Sequence, residues 1–277
     1  MLFFSRFEDR PLLVVCDKHT GQIIFKEILQ KGRGPNEYFL ASFMGFSQNS
    51  SDTEVWMETN AMRKIICLNL DKSLSQGKPI IEYEFNTSVS GKTGAIIASR
   101  IDNENMLYVA ISLKENNVNL LHYNTKGSSL DTIGRLFNTR INFTDVSATY
   151  SYHPAHPYYI TGMLFFNCIY FYSINASQKS FAVCVSGNIP SHGQIKNTSL
   201  EQRKQYYLSS FSTDNFICLL YNDNNKRFLH LLNWDGSIKK VLELDYPINT
   251  ISYDESEKTV YGIQWNNETV YRYKLPI

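Results

Sequence analysis

The sequence lacks an excess of charge, a long apolar run and a recognisable nucleophile motif. Its 27 basic residues nearly balance its 26 acidic ones, for a formal net charge of +1, so the basic face of a nucleic-acid-binding protein is not expected. No run approaches the ~20 apolar residues of a membrane-spanning helix, and no G-x-S-x-G elbow occurs. We therefore expect no nucleic-acid partner, no transmembrane segment and no catalytic residues.

Cysteine is also scarce, and its spacing does not suggest a disulfide framework. The five cysteines are odd in number, contain no C-x-x-C pair and lie inside apolar runs such as LLVVCDK and FICLLY. They are Cys16, Cys67, Cys168, Cys184 and Cys218. This pattern predicts small buried hydrophobic residues, and it argues against a redox or metal site built on thiols.

Strand-forming residues, by contrast, are abundant. Aromatic residues make up 14% of the chain, with 18 Tyr and 17 Phe, and most stand beside β-branched residues, as strands prefer. The clearest unit is RFLHLLNWDGSIKKVLELD at 227–245, where two apolar runs flank Asp-Gly. Such a pattern predicts two antiparallel strands joined by a tight turn.

This hairpin recurs about every 50 residues, a period typical of propellers and arrays. The first runs of successive copies align at Trp56, Tyr108, Ile160, Ile217 and Tyr261. Each copy has a further apolar run before and after it. The result is a four-stranded antiparallel meander, the blade of a β-propeller, whose strands we name A to D from the axis outward.

The predicted fold is therefore all-β: a single six-bladed β-propeller of four-stranded antiparallel blades over residues 1–277. The first blade lacks its A strand and the last lacks its D strand, so both are incomplete or share one composite blade. The capping box at 198–201 predicts the only helical turn. The expected blades span approximately 1–34, 35–86, 87–137, 138–188, 189–246 and 247–277.

The most distinctive short sequence is the turn GRGPNEY at 32–38. Its glycines, proline and asparagine favour a tight connection between two blades. In a functional interpretation, Arg33 and Glu37 form a charged pair at the channel mouth, with Arg33 available to a carboxylate or phosphate. The candidate ligand-binding residues of this channel mouth are Arg33, Asn36, Glu37, Tyr38 and Asp145.

The G-x-G-P-x-E-[YF] pattern of this turn, followed by short D/N-x-x-G hairpins, resembles the TolB-like six-bladed β-propeller family of Bacteroides-type bacteria. The resemblance covers essentially the whole chain and implies no catalytic residues. Many members look like exported or lipid-anchored envelope proteins. It implies a periplasmic protein or a cell-surface lipoprotein if an upstream signal has been trimmed, and a cytoplasmic protein otherwise.

One set of polar residues supports an alternative function. Glu37, Asn86, Asp145, Asn197 and Asn249 each lie near the start of an inner strand. Propeller lactonases hold a divalent cation with such a ring, because a hard cation prefers carboxylate and amide oxygens. Turns are also rich in Asn and Asp. The alternative is a metal-dependent hydrolase or lyase with Ca²⁺ at the channel mouth.

The histidines are explained more simply. His153 and His156 flank a Pro-Ala pair that aligns with other A–B turns such as 213–215, on the face opposite the expected ligand site. Since no further ligand is visible in the sequence, a turn is predicted here and no metal site. His122 and His230 occupy equivalent places in C strands, where semi-buried packing is expected.

The prediction from the sequence is a non-catalytic binding or scaffold propeller, monomeric and without a cofactor. Its B–C and D–A loops open on one face, are unequal in length and are rich in aromatic residues and Asn. This face is expected to recognise a protein, peptide or glycan at the cell envelope, although one fold hosts many functions. A purely structural interaction domain is a third possibility.

Overall fold

A computed structural model describes most of the chain as two units, Met1–Arg135 and Leu136–Ile277. Within the described part, helix is limited to α1 (Leu70–Gln76) and a 3-10 turn at Leu200–Gln202. Neither is long and apolar enough to cross a membrane. The described residues are 2–4, 12–26, 28–32, 34, 37–39, 41–47, 51–59, 64–86, 93–100, 105–112, 117–124, 129–137, 147–174, 178–184, 197–224, 226–266 and 269–277.

The strands of the first unit form three antiparallel sheets. The first sheet has three strands: β1 (Leu2–Phe4), β2 (Leu13–Cys16) and β3 (Ile23–Phe25). The second has four: β4 (Ala41–Phe46), β5 (Glu54–Thr59), β6 (Lys64–Asn69) and β7 (Ile81–Asn86). The third has four: β8 (Thr93–Arg100), β9 (Asn105–Ser112), β10 (Asn117–Asn124) and β11 (Ser129–Phe137).

The second unit continues the pattern with three more sheets. One contains β12 (Ala148–Tyr152), β13 (Tyr158–Met163), β14 (Ile169–Ser173) and β15 (Phe181–Val183). The next contains β16 (Tyr207–Ser212), β17 (Ile217–Asp223), β18 (Lys226–Leu232) and β19 (Ile238–Leu244). The last has three strands: β20 (Thr250–Asp254), β21 (Thr259–Gln264) and β22 (Thr269–Lys274).

Each sheet is an up-and-down meander in which consecutive strands pair. Within a unit, the first strands of successive four-stranded sheets contact each other, β4 with β8 and β12 with β16. In the second unit, β16 likewise contacts β20. This is the blade arrangement of a β-propeller, which confirms the predicted all-β propeller fold.

The blade count differs from the prediction of six, since only four of the described sheets have four strands. The sheets at the two ends of the chain have three strands each. These two sheets are shorter because residues 1–34 and 247–277 each contain only three strand-forming runs. The sequence had already indicated these two shortened sheets.

The core explains why the middle strands are apolar without strict alternation. In β5, β6 and β13 the last five residues are all buried, and in β17 the first five are. A blade in the interior of a propeller is covered on both faces, so both sets of side chains leave water. At about 25 cal/mol per Å² of apolar surface, this burial is the main stabilising contribution.

The hairpin predicted at 227–245 is present as β18, a turn and β19. The Gly236 N–H donates to the Asn233 carbonyl (2.9 Å). Gly236 has φ +84°, and a Cβ there would lie 2.7 Å from a methyl carbon of Val183. Glycine is therefore required by both the backbone conformation and the close approach of β15.

Candidate functional site

The predicted turn at 32–38 is held closed by its own glutamate. The Gly34 N–H donates to Glu37 Oε2 (2.7 Å), and the Gln30 amide donates to Glu37 Oε1 (3.4 Å). A Cβ added to Gly32 would collide with Glu37 Oε2. The carboxylate fills the space beside both glycines, so it is engaged by the turn.

Tyr38 is a buried anchor of the first unit's core, with 4% of its surface exposed. Its N–H donates to the Gln30 carbonyl (2.9 Å). Burial, followed by the charge and hydrogen bond of Glu84, raises the pKa of its hydroxyl. Lys64 pairs with Glu84 (2.6 Å). The structure thus places Tyr38 in a packed position beneath the turn.

The other channel-mouth residues are only partly described. Arg33, Asn36 and Asp145 lie outside the described residues. Of the proposed cation ring, Asn86 ends β7 in the first unit, while Asn197 and Asn249 belong to the second. The ligand-binding role of the predicted set and the cation ring both stay predictions.

Exposed aromatic rings stand beside amide groups on the B–C and D–A loops of the second unit. Tyr246, after β19, is 47% exposed and stacks on Tyr271 of β22 with ring centroids 4.0 Å apart. Trp265, in the β21–β22 loop, is 57% exposed. Gln264 Oε1 accepts from the Tyr271 hydroxyl (3.1 Å), and Asn249 Oδ1 accepts from the backbone N–H of Trp265 (3.0 Å). We call these five residues the aromatic–amide patch.

Neighbouring residues brace this patch. Arg227 Nε donates to the Ile248 carbonyl (2.9 Å) beside Asn249, and Arg227 also donates to the Asn222 side chain. Lys204 and Asp223 form an ion pair (2.9 Å) on the adjacent loops. Burial lowers the pKa of the Arg227 guanidinium. The D–A loop that carries Tyr246 and Asn249 is therefore tied to the preceding blade.

The A–B turns of two successive blades bring two histidines and an aspartate together. His153 and His156 lie between β12 and β13, and Asp214 lies between β16 and β17. One ligand atom from each side chain lies within 4.8 Å of the other two. His156 Nε2 is 2.6 Å from the Asp214 carbonyl oxygen and 3.3 Å from its Oδ1. We call these residues the His–His–Asp cluster.

The surroundings of this cluster hold the rings in place. Trp234, from the β18–β19 turn, stacks on His156 with centroids 4.0 Å apart, and its indole N–H donates to the Thr213 carbonyl (3.1 Å). The Ala155 N–H donates to His153 Nδ1 (3.4 Å). Burial lowers the pKa of His153, against an opposing contribution from Asp214.

The turn predicted for His153 and His156 is confirmed, but the sequence analysis did not include Asp214 in a cluster with them. The signal was present in the alignment of 213–215 with the histidine turn. Equivalent turns of adjacent blades are neighbours in space, so residues at aligned positions can meet.

The cysteines depart from the prediction at one position. Cys16, Cys67, Cys168 and Cys218 are buried as expected, whereas Cys184 is exposed because it follows the outer strand β15. The thiols of Cys168 and Cys184 lie 2.9 Å apart. Burial and the neighbouring thiol raise the pKa of Cys168 to about 12.

No family model matches the sequence, and a search of curated proteins finds no match. Solved structures do match. A member of the DUF4221 family from Bacteroides vulgatus has a TM-score of 0.66 at 13% identity, covering 99% of this chain and 90% of its own. A protein of unknown function from Bacteroides caccae has a TM-score of 0.55 at 11% identity, covering 95% and 85%.

A third match is a Bacteroides fragilis protein whose name marks it as a candidate for export, with a TM-score of 0.53 at 17% identity, covering 90% of this chain and 73% of its own. At such identities these likenesses show the fold. In fold, they agree with the predicted resemblance to propellers of Bacteroides-type bacteria.

Proposed function

We propose that this chain is a non-catalytic binding propeller whose ligand site is the aromatic–amide patch. The observation that carries the proposal is the exposure of Tyr246 and Trp265 beside Asn249 and Gln264 on one set of loops. Exposed aromatic rings with neighbouring hydrogen-bonding groups are the side chains that dominate recognition surfaces. Three of its residues, Tyr246, Asn249 and Trp265, lie on the D–A and B–C loops, where the sequence predicted ligand recognition.

Among a protein, a peptide and a glycan, the patch favours a glycan. A flat aromatic face packs against the apolar C–H face of a sugar ring, while amide groups exchange hydrogen bonds with its hydroxyls. The Tyr246–Tyr271 stack and the Arg227 brace hold this surface in one arrangement. A preformed surface loses less conformational entropy when it binds.

We further propose that the protein works at the cell envelope as a TolB-like propeller of six blades. The name of the Bacteroides fragilis neighbour supports export. The two three-stranded sheets at the chain ends supply the fifth and sixth blades. A monomer suffices for this role, because the patch is formed within the second unit.

The test is a binding screen against an array of bacterial, plant and host glycans and against a peptide library of mixed sequence. We expect glycan hits whose dissociation constants weaken at least about tenfold in Trp265→Ala and Tyr246→Ala, the loss typical of an aromatic hot spot. Tyr83→Ala is the matched control, since Tyr83 is 59% exposed on β7 in the other unit.

Hits that survive both patch substitutions unchanged would place the ligand elsewhere and overturn the proposal. Binding confined to the peptide library, but lost in both patch variants, would keep the site and replace the glycan with a peptide. The absence of any hit from both collections would refute binding of these ligand classes.

A further inference from the structure

We propose that the His–His–Asp cluster binds one divalent transition-metal ion of the Zn²⁺ class. The proposal is independent of the aromatic–amide patch, because its residues lie on A–B turns. His153 and His156 come from one turn and Asp214 from the turn of the next blade. A bound ion would therefore tie two successive blades together.

The spacing of the cluster is close to that of a metal site. The candidate ligand atoms lie within 4.8 Å of one another, whereas ligands around a tetrahedral Zn²⁺ lie about 3.3 Å apart. A bound ion would draw the ligand atoms closer together. Asp214 is free to make this adjustment, since its side chain is 63% exposed.

The ligand chemistry selects the class of metal. Two imidazoles and one carboxylate suit Zn²⁺, Ni²⁺, Co²⁺ or Cu²⁺, whereas Ca²⁺ and Mg²⁺ prefer oxygen ligands alone. Three protein ligands leave a fourth position for water or another donor. Because His153 Nδ1 accepts a hydrogen bond from the Ala155 N–H, Nε2 is the nitrogen of His153 that is available to the ion.

The surroundings orient His156. The Trp234 ring stacks on it, and the indole N–H is fixed to the Thr213 carbonyl, next to Asp214. Groups that orient a ligand in this way raise metal affinity. His156 Nε2 contacts the Asp214 carbonyl oxygen. When the ion binds Nε2 it takes the place of a proton on this nitrogen, and the hydrogen bond to the carbonyl is lost.

The experiment titrates metal-free protein with Zn²⁺ by calorimetry and with Co²⁺ by visible absorption. To exclude metal binding by the adjacent thiols of Cys168 and Cys184, it uses a Cys168→Ser, Cys184→Ser background. We expect one ion per chain and the intense visible bands of four-coordinate Co²⁺. His153→Ala, His156→Ala and Asp214→Asn should each weaken binding at least about tenfold.

His19→Ala is the matched control, since His19 is exposed in the other unit, and it should bind as the parent does. Near-ultraviolet circular dichroism confirms that each variant is folded. Equal binding by the parent and all three cluster variants would overturn the proposal. The proposal would also be overturned if the chain with its native cysteines bound the metal and the Cys168→Ser, Cys184→Ser chain did not, because the thiols would then be the ligands.

A second inference comes independently from the cysteine pair. Ile169 pairs with Val183 in the β14–β15 ladder, so Cys168 and Cys184 are the next residues facing each other across the two strands. We propose that they form a disulfide in an oxidising compartment. Their sulfurs are already in contact at 2.9 Å, and opposed cross-strand residues have the separation that a disulfide spans.

The chemistry is thiol–disulfide exchange with a disulfide oxidant. The exposed Cys184 attacks the oxidant as a thiolate and forms a mixed disulfide, and Cys168 then displaces the oxidant's second sulfur. The two cysteines lose two electrons and two protons in total. The oxidant takes up the two electrons and two protons, and its two halves leave as thiols, one at each step.

Oxidised glutathione is the probe, and the measurements are intact mass and peptide mapping without reductant. We expect the loss of two hydrogens, a single 168–184 linkage and a higher melting temperature. Cys184→Ser should abolish the linkage, while Cys218→Ser, at a buried cysteine, should not. The proposal fails if Cys168 and Cys184 can both still be alkylated after incubation with oxidised glutathione alone. It also fails if a different pair of cysteines is linked.

Discussion

Single side chains account for two features of this molecule that the sequence left open. Glu37 explains the glycines of the turn at 32–38, because its carboxylate occupies the volume beside Gly32 and Gly34. His230 is buried at 5% exposure and stacks on Tyr221 with centroids 4.4 Å apart. The sequence predicted semi-buried packing for His230, but only the structure shows which ring covers it.

Gly32→Ala should destabilise the protein by about 1–3 kcal/mol, because the added methyl group displaces the Glu37 carboxylate from its hydrogen bond with the Gly34 N–H. The check is urea denaturation followed by circular dichroism. In a Glu37→Ala background the same glycine substitution should cost clearly less, because the colliding carboxylate is already gone. A Gly32→Ala variant as stable as the parent would show that the carboxylate does not occupy this space.

His230 should make stability depend on pH below neutrality. Burial lowers its pKa from 6.5 to about 4, and Nδ1 has no hydrogen-bond partner among the described residues. Between these values the unfolded chain binds the proton more readily, so stability is full above pH 6.5 and falls as the pH drops toward 4. The expected loss is on the order of 3 kcal/mol.

The measurement compares the parent, His230→Phe and the exposed control His19→Gln by urea denaturation across this pH range. The Phe variant should lose clearly less stability than the parent on acidification, while the His19 variant should follow the parent. Parallel curves for all three proteins would contradict the role given to His230.

At the scale of elements, α1 is the feature that the sequence prediction missed. The helical turn predicted at 198–201 is present at Leu200–Gln202, but it is not the only one. Asn69 caps α1 by accepting from the Lys72 N–H (3.0 Å), and Gly77 ends it at φ +64°. Both capping signals stand in the sequence, but seven residues are too few for helical periodicity to appear.

Asn69→Ala should cost about 1–3 kcal/mol of stability, because Asn69 is fully buried and both caps the helix and donates to Asp52 and Glu82. Ser75→Ala, on the exposed side of α1, should stay within about 0.5 kcal/mol of the parent. Thermal and urea unfolding of the two variants provide the comparison. Equal losses would mean that Asn69 contributes no more than a surface residue.

At the scale of the whole molecule, repetition made the fold predictable while the sites stayed hidden. Trp56, Ile160 and Tyr261 each fall third in the second strand of their sheet, because apolar runs survive in every copy, whereas Ile217 is the first residue of its strand, so the predicted alignment fails at that copy. Site residues follow no such period. Asp214 meets histidines about sixty positions earlier only through blade packing, and ring exposure depends on tertiary contacts.

Hydrogen–deuterium exchange in the presence of a ligand from the glycan screen tests the central claim most directly. The account predicts slower exchange of the backbone at 245–249 and 262–266, which carry most of the aromatic–amide patch. It predicts unchanged exchange at the A–B turns 153–157 and 213–215. Protection confined to those turns, or spread evenly over the chain, would contradict the placement of the binding site.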